Sequence, residues 1–168
     1  MKRVVLILIF SICLCACERE KTIERCDFPA ILPNVTELAD TILEKVNFPA
    51  MITYTEQSDI EAILPDINFD DIEEIVLIQQ AMTVHLIELI IIRPAFAKTN
   101  DAVNFLQERQ KVLREQLAFY PAQVLSAEAS IVGRTEAFAY LICHEDAAEI
   151  EILLLNLIEE LTITIIEP

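Results

Sequence analysis

The sequence predicts an α+β domain, a small, mostly antiparallel sheet with helices packed on one face, and three features predict it. A run from Ala81 to Arg93 is rich in the β-branched residues Thr83, Val84, Ile87, Ile90, Ile91 and Ile92, which favour extended chain. Next comes a stretch in which Val103, Leu106, Gln110, Leu113, Leu117 and Tyr120 follow helical spacing. Two short apolar segments, Ser130 to Val132 and Ala137 to Cys143, then flank the only glycine, Gly133. Strand, long helix and hairpin make a two-layer domain.

The elements follow in order. Asn34, with Glu37 three residues on, opens a first helix whose Val35, Leu38, Ala39, Ile42, Leu43 and Val46 share a face. Asn47-Phe48-Pro49 breaks it. Ser58 and Glu61 start a short helical turn that Pro65 ends. Asp70, Asp71, Glu73 and Glu74 around Ile72 and Ile75 suggest a further acid-started turn or short helix. As a helix, the 81–93 run would extend an apolar rod toward membrane-span length. Glu73, Glu74, Gln79, Gln80, His85 and Glu88 make that costly, so a central buried strand is expected. Thr99 or Asn100 caps the long helix, which Pro121 stops. Gly133 suits a turn requiring positive φ. Asp146 and Glu149 form a capping box for a last helix bearing Ile150, Leu153, Leu154, Leu157, Ile158 and Leu161, and Thr162 to Ile166 reads as an edge strand.

Composition excludes several function classes. One glycine in 168 residues leaves no phosphate-cradling or dinucleotide-binding loop. A formal net charge of −16 argues against nucleic acid as a partner.

The N-terminus says where the chain belongs. Met1-Lys2-Arg3 precedes an apolar run from Val4 to Phe10 and then small residues to Cys17, a core shorter than the ~20 residues of a spanning helix. Leu14-Cys15-Ala16-Cys17 resembles the bacterial lipobox, with Cys15 a less usual occupant of its slot. That resemblance implies cleavage before Cys17 and lipidation of its thiol. The expected organisation is a lipoprotein signal peptide over 1–16, a lipidated N-terminus and tether over 17–33, and a single α+β domain over 34–168. Two acyl chains hold a protein on a membrane, so the expected location is the extracytoplasmic face of the cell membrane. Without Lys2 and Arg3, ten bases face 28 acids, a net charge of −18. Attachment therefore rests on lipid rather than a basic patch. Beyond the anchor only Cys26 and Cys143 remain. Export permits a disulfide between them, and two unpaired thiols are the favoured reading.

A family resemblance spans roughly Asp66 to the last helix. It rests on Glu88-Leu89-Ile90-Ile91-Ile92-Arg93, on Arg109 preceding Tyr120-Pro121 by eleven residues, and on Phe138-Ala139-Tyr140-Leu141-Ile142. These segments resemble an uncharacterised lipoprotein family of Gram-positive bacteria, a domain of unknown function. The family usually has glycine immediately before the second hairpin strand; here Glu136 stands closer to that slot than Gly133. The resemblance implies no activity or cofactor.

The candidate chemistry is sparse. His85 and Glu88 share a face only if helical, and on a strand they point to opposite sides. Cys143-His144-Glu145-Asp146 gathers a thiol, an imidazole and two carboxylates, but adjacent residues on extended chain face apart; His144 is expected to be exposed in the turn. No second His or Cys cluster has zinc-like spacing. Arg109 is expected to pair with an acid such as Glu88, fixing helix against sheet. The reading is a lipid-anchored, non-enzymatic binding or interaction module with no catalytic residues, metal or cofactor. Its partners are the membrane, through Cys17, and an envelope protein or exported ligand. The alternatives are a thiol- or histidine-dependent envelope enzyme using Cys143 or His144, and a structural subunit of an envelope complex.

Overall fold

The computed structural model describes residues 32–82 and 85–166, the last four by backbone alone. Cys17, Cys26, the signal segment and most of the tether lie outside the described residues. Helix α1 (Val35–Lys45) opens where expected, Asn34 Oδ1 accepting from Thr36 N at 2.8 Å. There follow β1 (Met51–Tyr54), α2 (Gln57–Ile63), a 3-10 turn at Phe69–Asp71, β2 (Ile72–Gln80) and β3 (Glu88–Pro94). Next come α3 (Thr99–Val112), a π-helical turn (Leu113–Leu117), α4 (Pro121–Ala129), β4 (Ile131–Arg134), β5 (Ala139–Cys143) and α5 (Ala147–Ile166).

The five strands form one antiparallel sheet in the order β1-β2-β3-β5-β4. The α+β class stands, but helices cover both faces, not one. Because strand side chains alternate, Val76, Ile78, Leu89, Ile91, Tyr140 and Ile142 face α1 and α5. Leu77, Ile90, Ile92, Ala139, Leu141 and Cys143 face α2 and α3. A centre apolar on both sides needs two covers: β3 is buried from Glu88 through Ile92.

Several boundaries differ from expectation for identifiable reasons. The 81–93 run is a strand only from Glu88, since Ala81 and Met82 form a bend. The acids before it do not start a helix; after the 3-10 turn they belong to β2, where Glu74 pairs across to Arg93. α3 includes Thr99 and Asn100 instead of being capped by them. Pro121 does not merely stop that helix: it opens α4, where its missing N–H costs nothing. Thr162 to Ile166 continues α5 and forms no edge strand.

Gly133 lies within β4 opposite Tyr140, not in the turn, and its φ is not positive. A Cβ there would sit 2.3 Å from the Tyr140 hydroxyl, so the glycine makes room for that ring. Thr135 makes the turn: its Oγ1 accepts from Phe138 N at 3.0 Å, and its N–H donates to the Phe138 carbonyl.

Leu32 packs against the α1 side of the core, and Pro33 O accepts from Arg93 Nη2. Ordered packing thus begins before Asn34.

Candidate functional site

Register puts Gln79, Glu88 and Cys143 side by side across three strands, on the face covered by α3. Glu88 is 2% exposed, and a carboxylate there requires a partner. Arg109 of α3 supplies it: Nε donates to Oε1 at 2.8 Å and Nη2 to Oε2 at 2.7 Å. Gln79 Nε2 adds a third bond to Oε2 at 2.7 Å. This is the helix-to-sheet pair expected from sequence. Burial acts to lower the Arg109 pKa; hydrogen bonds and charge from Glu88 overcome it and hold the guanidinium above its usual value.

Beyond Arg109 the chain winds through the π turn and reaches Ala118-Phe119-Tyr120. Gln123 Oε1 accepts from Phe119 N at 3.0 Å and from Tyr120 N at 3.1 Å. Gln123 is itself 5% exposed, so it pins the turn from within. Arg114 closes the far end, its Nε donating to Ala127 O at 3.0 Å and its Nη2 to Ser130 O at 3.1 Å, which satisfies carbonyls at the end of α4.

The pinned turn keeps two aromatic side chains in solvent, one of which, Tyr120, sequence periodicity assigns to a core face. Tyr120 is 66% exposed and Phe119 77%. With Leu117 they border an open cleft of about 360 Å³, whose wall includes Gln79, Gln80 and His85 and whose floor is the Glu88–Arg109 pair. Its size suits a small ligand. Among the described residues, Gln80 Oε1 is buried with no donor.

The expected site residues are only partly brought together. His85 is exposed on the bend before β3, and lines the same cleft as Glu88 rather than facing away from it. Cys143 and His144 are separated. The Cys143 thiol, unpaired among the described residues, donates to Leu86 O at 3.3 Å on the α3 side. Its pKa is pushed up to about 12, by burial first and then by the charge of Glu88. His144 is not exposed in the turn. Its side chain is 12% accessible, edge-on to Phe48 at 5.4 Å, and its Nδ1 accepts from Asp146 N at 3.0 Å. Phe48 packs on the opposite, α1 side. Sequence reasoning missed Gln79, Gln80, Phe119 and Gln123. The one available signal was two aromatic residues directly before a proline, where a helix cannot continue.

Two other features of the described residues are structural. An acid-lined hollow of about 200 Å³ holds Asp66, Asp71 and Asp101. Lys98 bridges the latter two at 2.9 and 3.2 Å, and this pairing, with a hydrogen bond from Asn68, holds the Asp71 pKa below its usual value. At the far end of β3, Arg93 Nη1 donates to Glu74 Oε1 at 2.7 Å, while Glu74 Oε2 accepts from Val35 N at the start of α1. No group of three or more His, Cys, Asp or Glu among the described residues is arranged to hold a metal ion, and no described helix is long and apolar enough to cross a membrane.

A family model described as "Domain of unknown function (DUF4358)" matches residues 47–144. The match starts ahead of the resemblance noted from sequence, taking in β1 and α2, and stops before α5. It contains the sheet, the cleft and the Glu88–Arg109 pair; α1 and α5 lie outside it. No curated protein and no solved structure matches the chain.

Proposed function

We propose a function from this premise: the chain belongs to the family described as "Domain of unknown function (DUF4358)", so its role has to be argued from its own cleft. The protein is a lipid-anchored binding module of the cell envelope, of the Gram-positive lipoprotein kind, held to the outer face of the membrane through Cys17. Its ligand site is the cleft over Glu88 and Arg109.

One observation carries the binding role. Two aromatic rings are held in solvent by backbone bonds to a buried glutamine, beside a cleft with a rigid, charge-paired floor. An exposed aromatic turn that is pinned open is organised before any ligand arrives, which lowers the ordering cost of association. Binding is favoured over thiol or histidine chemistry because Cys143 and His144 lie on opposite faces of the sheet, and the raised thiol pKa leaves almost no thiolate at neutral pH.

The anchor and the cleft also fit geometrically. The chain enters the domain at Pro33, bonded to Arg93, whereas the cleft lies over Glu88. Five residues of strand separate them, about 17 Å. A domain tethered by its entry end carries the cleft on the end away from that tether.

Hydrogen–deuterium exchange on the lipidated chain, with and without a detergent extract of its native envelope, tests the reading. Protection of residues 85–88 and 117–123, lost in a Phe119→Ala/Tyr120→Ala variant, is expected. No protection there overturns the binding role. Mass spectrometry that finds an uncut leader or an unmodified Cys17 overturns the anchor.

A further inference from the structure

We infer that Phe96 is a second contact of this protein with the membrane: its ring enters the interfacial layer of the bilayer near the anchor and turns the cleft away from the lipid. The inference rests on the lipid anchor proposed above at Cys17.

Exposure gives the first argument. Phe96 is 95% exposed, more than any other large hydrophobic side chain among the described residues. It stands between Ala95 and Ala97 just past β3, so the tip of this turn is wholly apolar. Lys98 N donates to Ala95 O at 2.9 Å and closes the turn, and Ala97 takes a φ of 62° at its third position, where glycine is the usual occupant. The turn is held on both flanks. Ala95 N donates to Asp71 O at 2.9 Å, and Lys98 bridges Asp71 and Asp101 at 2.9 and 3.2 Å. Strain of this kind persists where its surroundings over-determine it, and it points to a use for the side chain on display.

Location gives the second. Pro33 O accepts from Arg93 Nη2, three residues before Phe96, so the chain arriving from Cys17 enters the domain at this same end. Residues 18–31 reach at most about 50 Å. With Cys17 in the bilayer, a further touch on the surface is an intramolecular step, so one ring can contribute where it could not hold a free protein. The turn after β4 lies at this end too, since Arg134 and Ile92 both pair with Ala139. Exposed Asp70, Asp101 and Glu136 therefore surround the tip. They disfavour a second copy of a chain with a formal charge of −16, and they make the contact with lipid apolar rather than electrostatic.

The chain has no tryptophan. Phe96→Trp in the full lipidated chain is therefore a single fluorescent probe, and Phe119→Trp is a matched one at the cleft rim. Each is reconstituted in phosphatidylcholine vesicles with and without bromine on the upper acyl carbons, which quenches indoles inside the bilayer. A blue shift and loss of most of the emission in brominated vesicles are expected at position 96, and neither at position 119. Because tryptophan itself favours interfaces, the parent chain is followed by hydrogen–deuterium exchange. On vesicles its Phe96 and Ala97 amides are expected to exchange more slowly than the same two amides in Phe96→Ser. Added phosphatidylglycerol at low salt is expected to weaken the quenching, and salt to restore it. A probe at 96 that stays in water, quenching at 119 instead, or equal exchange in the parent and Phe96→Ser overturns the inference. So does a blue shift without quenching, which means contact with a second copy, or stronger quenching in anionic vesicles. Flotation separates the two readings. If the chain floats with the vesicles while position 96 stays in water, the anchor stands and the membrane role of Phe96 falls; if Cys17 is unmodified and the chain does not float, the anchor falls and takes this inference with it.

Discussion

Removing either side of the Glu88–Arg109 pair strips a buried charge of its ionic partner. Glu88 is 2% exposed and the Arg109 side chain 12%, so solvent does little to replace what is lost. Breaking such a pair costs about 3–5 kcal/mol. Arg109→Met leaves the carboxylate with Gln79 alone, and Glu88→Gln leaves a guanidinium facing a neutral amide. Each is expected to cost about 3 kcal/mol or more, against a total stability of about 5–15 kcal/mol for a domain of this kind. In melting temperature that is on the order of 10 °C. The double variant Glu88→Leu/Arg109→Met separates the pair's net worth from the penalty of orphaning a charge. It removes both charges together and is expected to lie within about 1–2 kcal/mol of the parent, the remaining loss including the Gln79 bond. Urea unfolding followed by circular dichroism measures all four chains, with Cys17→Ser as the common background so that no lipid is attached. Single variants costing under ~1 kcal/mol, or a double variant as costly as the sum of the singles, would refute the reasoning.

Three further outcomes follow from the packing. Gly133→Ala places a methyl group 2.3 Å from the Tyr140 hydroxyl, and is expected to destabilise by about 1–3 kcal/mol in the same urea assay; the smaller Tyr140→Leu ring-free partner should recover most of that loss. Cys143 has a pKa raised from 9.0 to about 12, so the folded state keeps a proton that the unfolded state releases. Its contribution is complete below pH ~9 and is lost as pH rises toward ~12, and Cys143→Ala should flatten the fall in stability across that window. Tyr140, raised by burial and then by its bond to Glu151, acts in the same direction and remains in the variant. Finally, the fragment 47–144 lacks α1 and α5 and uncovers Val76, Ile78, Leu89, Ile91, Tyr140 and Ile142. At about 1.5–3 kcal/mol for each buried side chain that is on the order of 9–18 kcal/mol of lost cover, so the fragment should bind a hydrophobic dye or aggregate in light scattering.

How much was legible in the sequence depended on whether a signal was local. α1 showed in periodicity and cap together, and the Glu88–Arg109 pair was inferable because an acid inside an apolar strand needs a cation from whatever packs above it. β2 was hidden because its acids, Glu73 and Glu74, imitate a helix start; their purpose is non-local, since Glu74 serves Arg93 and the first turn of α1. The second helical layer was hidden because an apolar strand reads alike under one cover or two until its alternate residues are assigned to faces. Gly133 misled because a lone glycine suggests a turn, and the ring that requires it lies across a strand pair. The cleft was least visible of all: Leu117 and Tyr120 keep the spacing of a buried stripe, and nothing local reveals that the helix changes pitch at Leu113.

That change of pitch explains why the floor of the cleft is ionic. Apolar packing of Leu106 and Leu113 against Ile90 and Ile92 is non-directional, and by itself would tolerate sliding of α3 along the sheet. A two-pronged guanidinium–carboxylate contact has one register. Set one turn before the π segment, it fixes where the helix leaves its regular path, and so where Phe119 and Tyr120 emerge. Gln123 then fixes the turn, and Arg114 fixes α4 back onto the end of α3. Polar contacts at three points therefore set the rim against the floor. Apolar packing alone would leave the point at which both rings emerge undefined. The buried pair is a poor source of stability and a good source of position, and it stands where position decides whether the aromatic rim remains available.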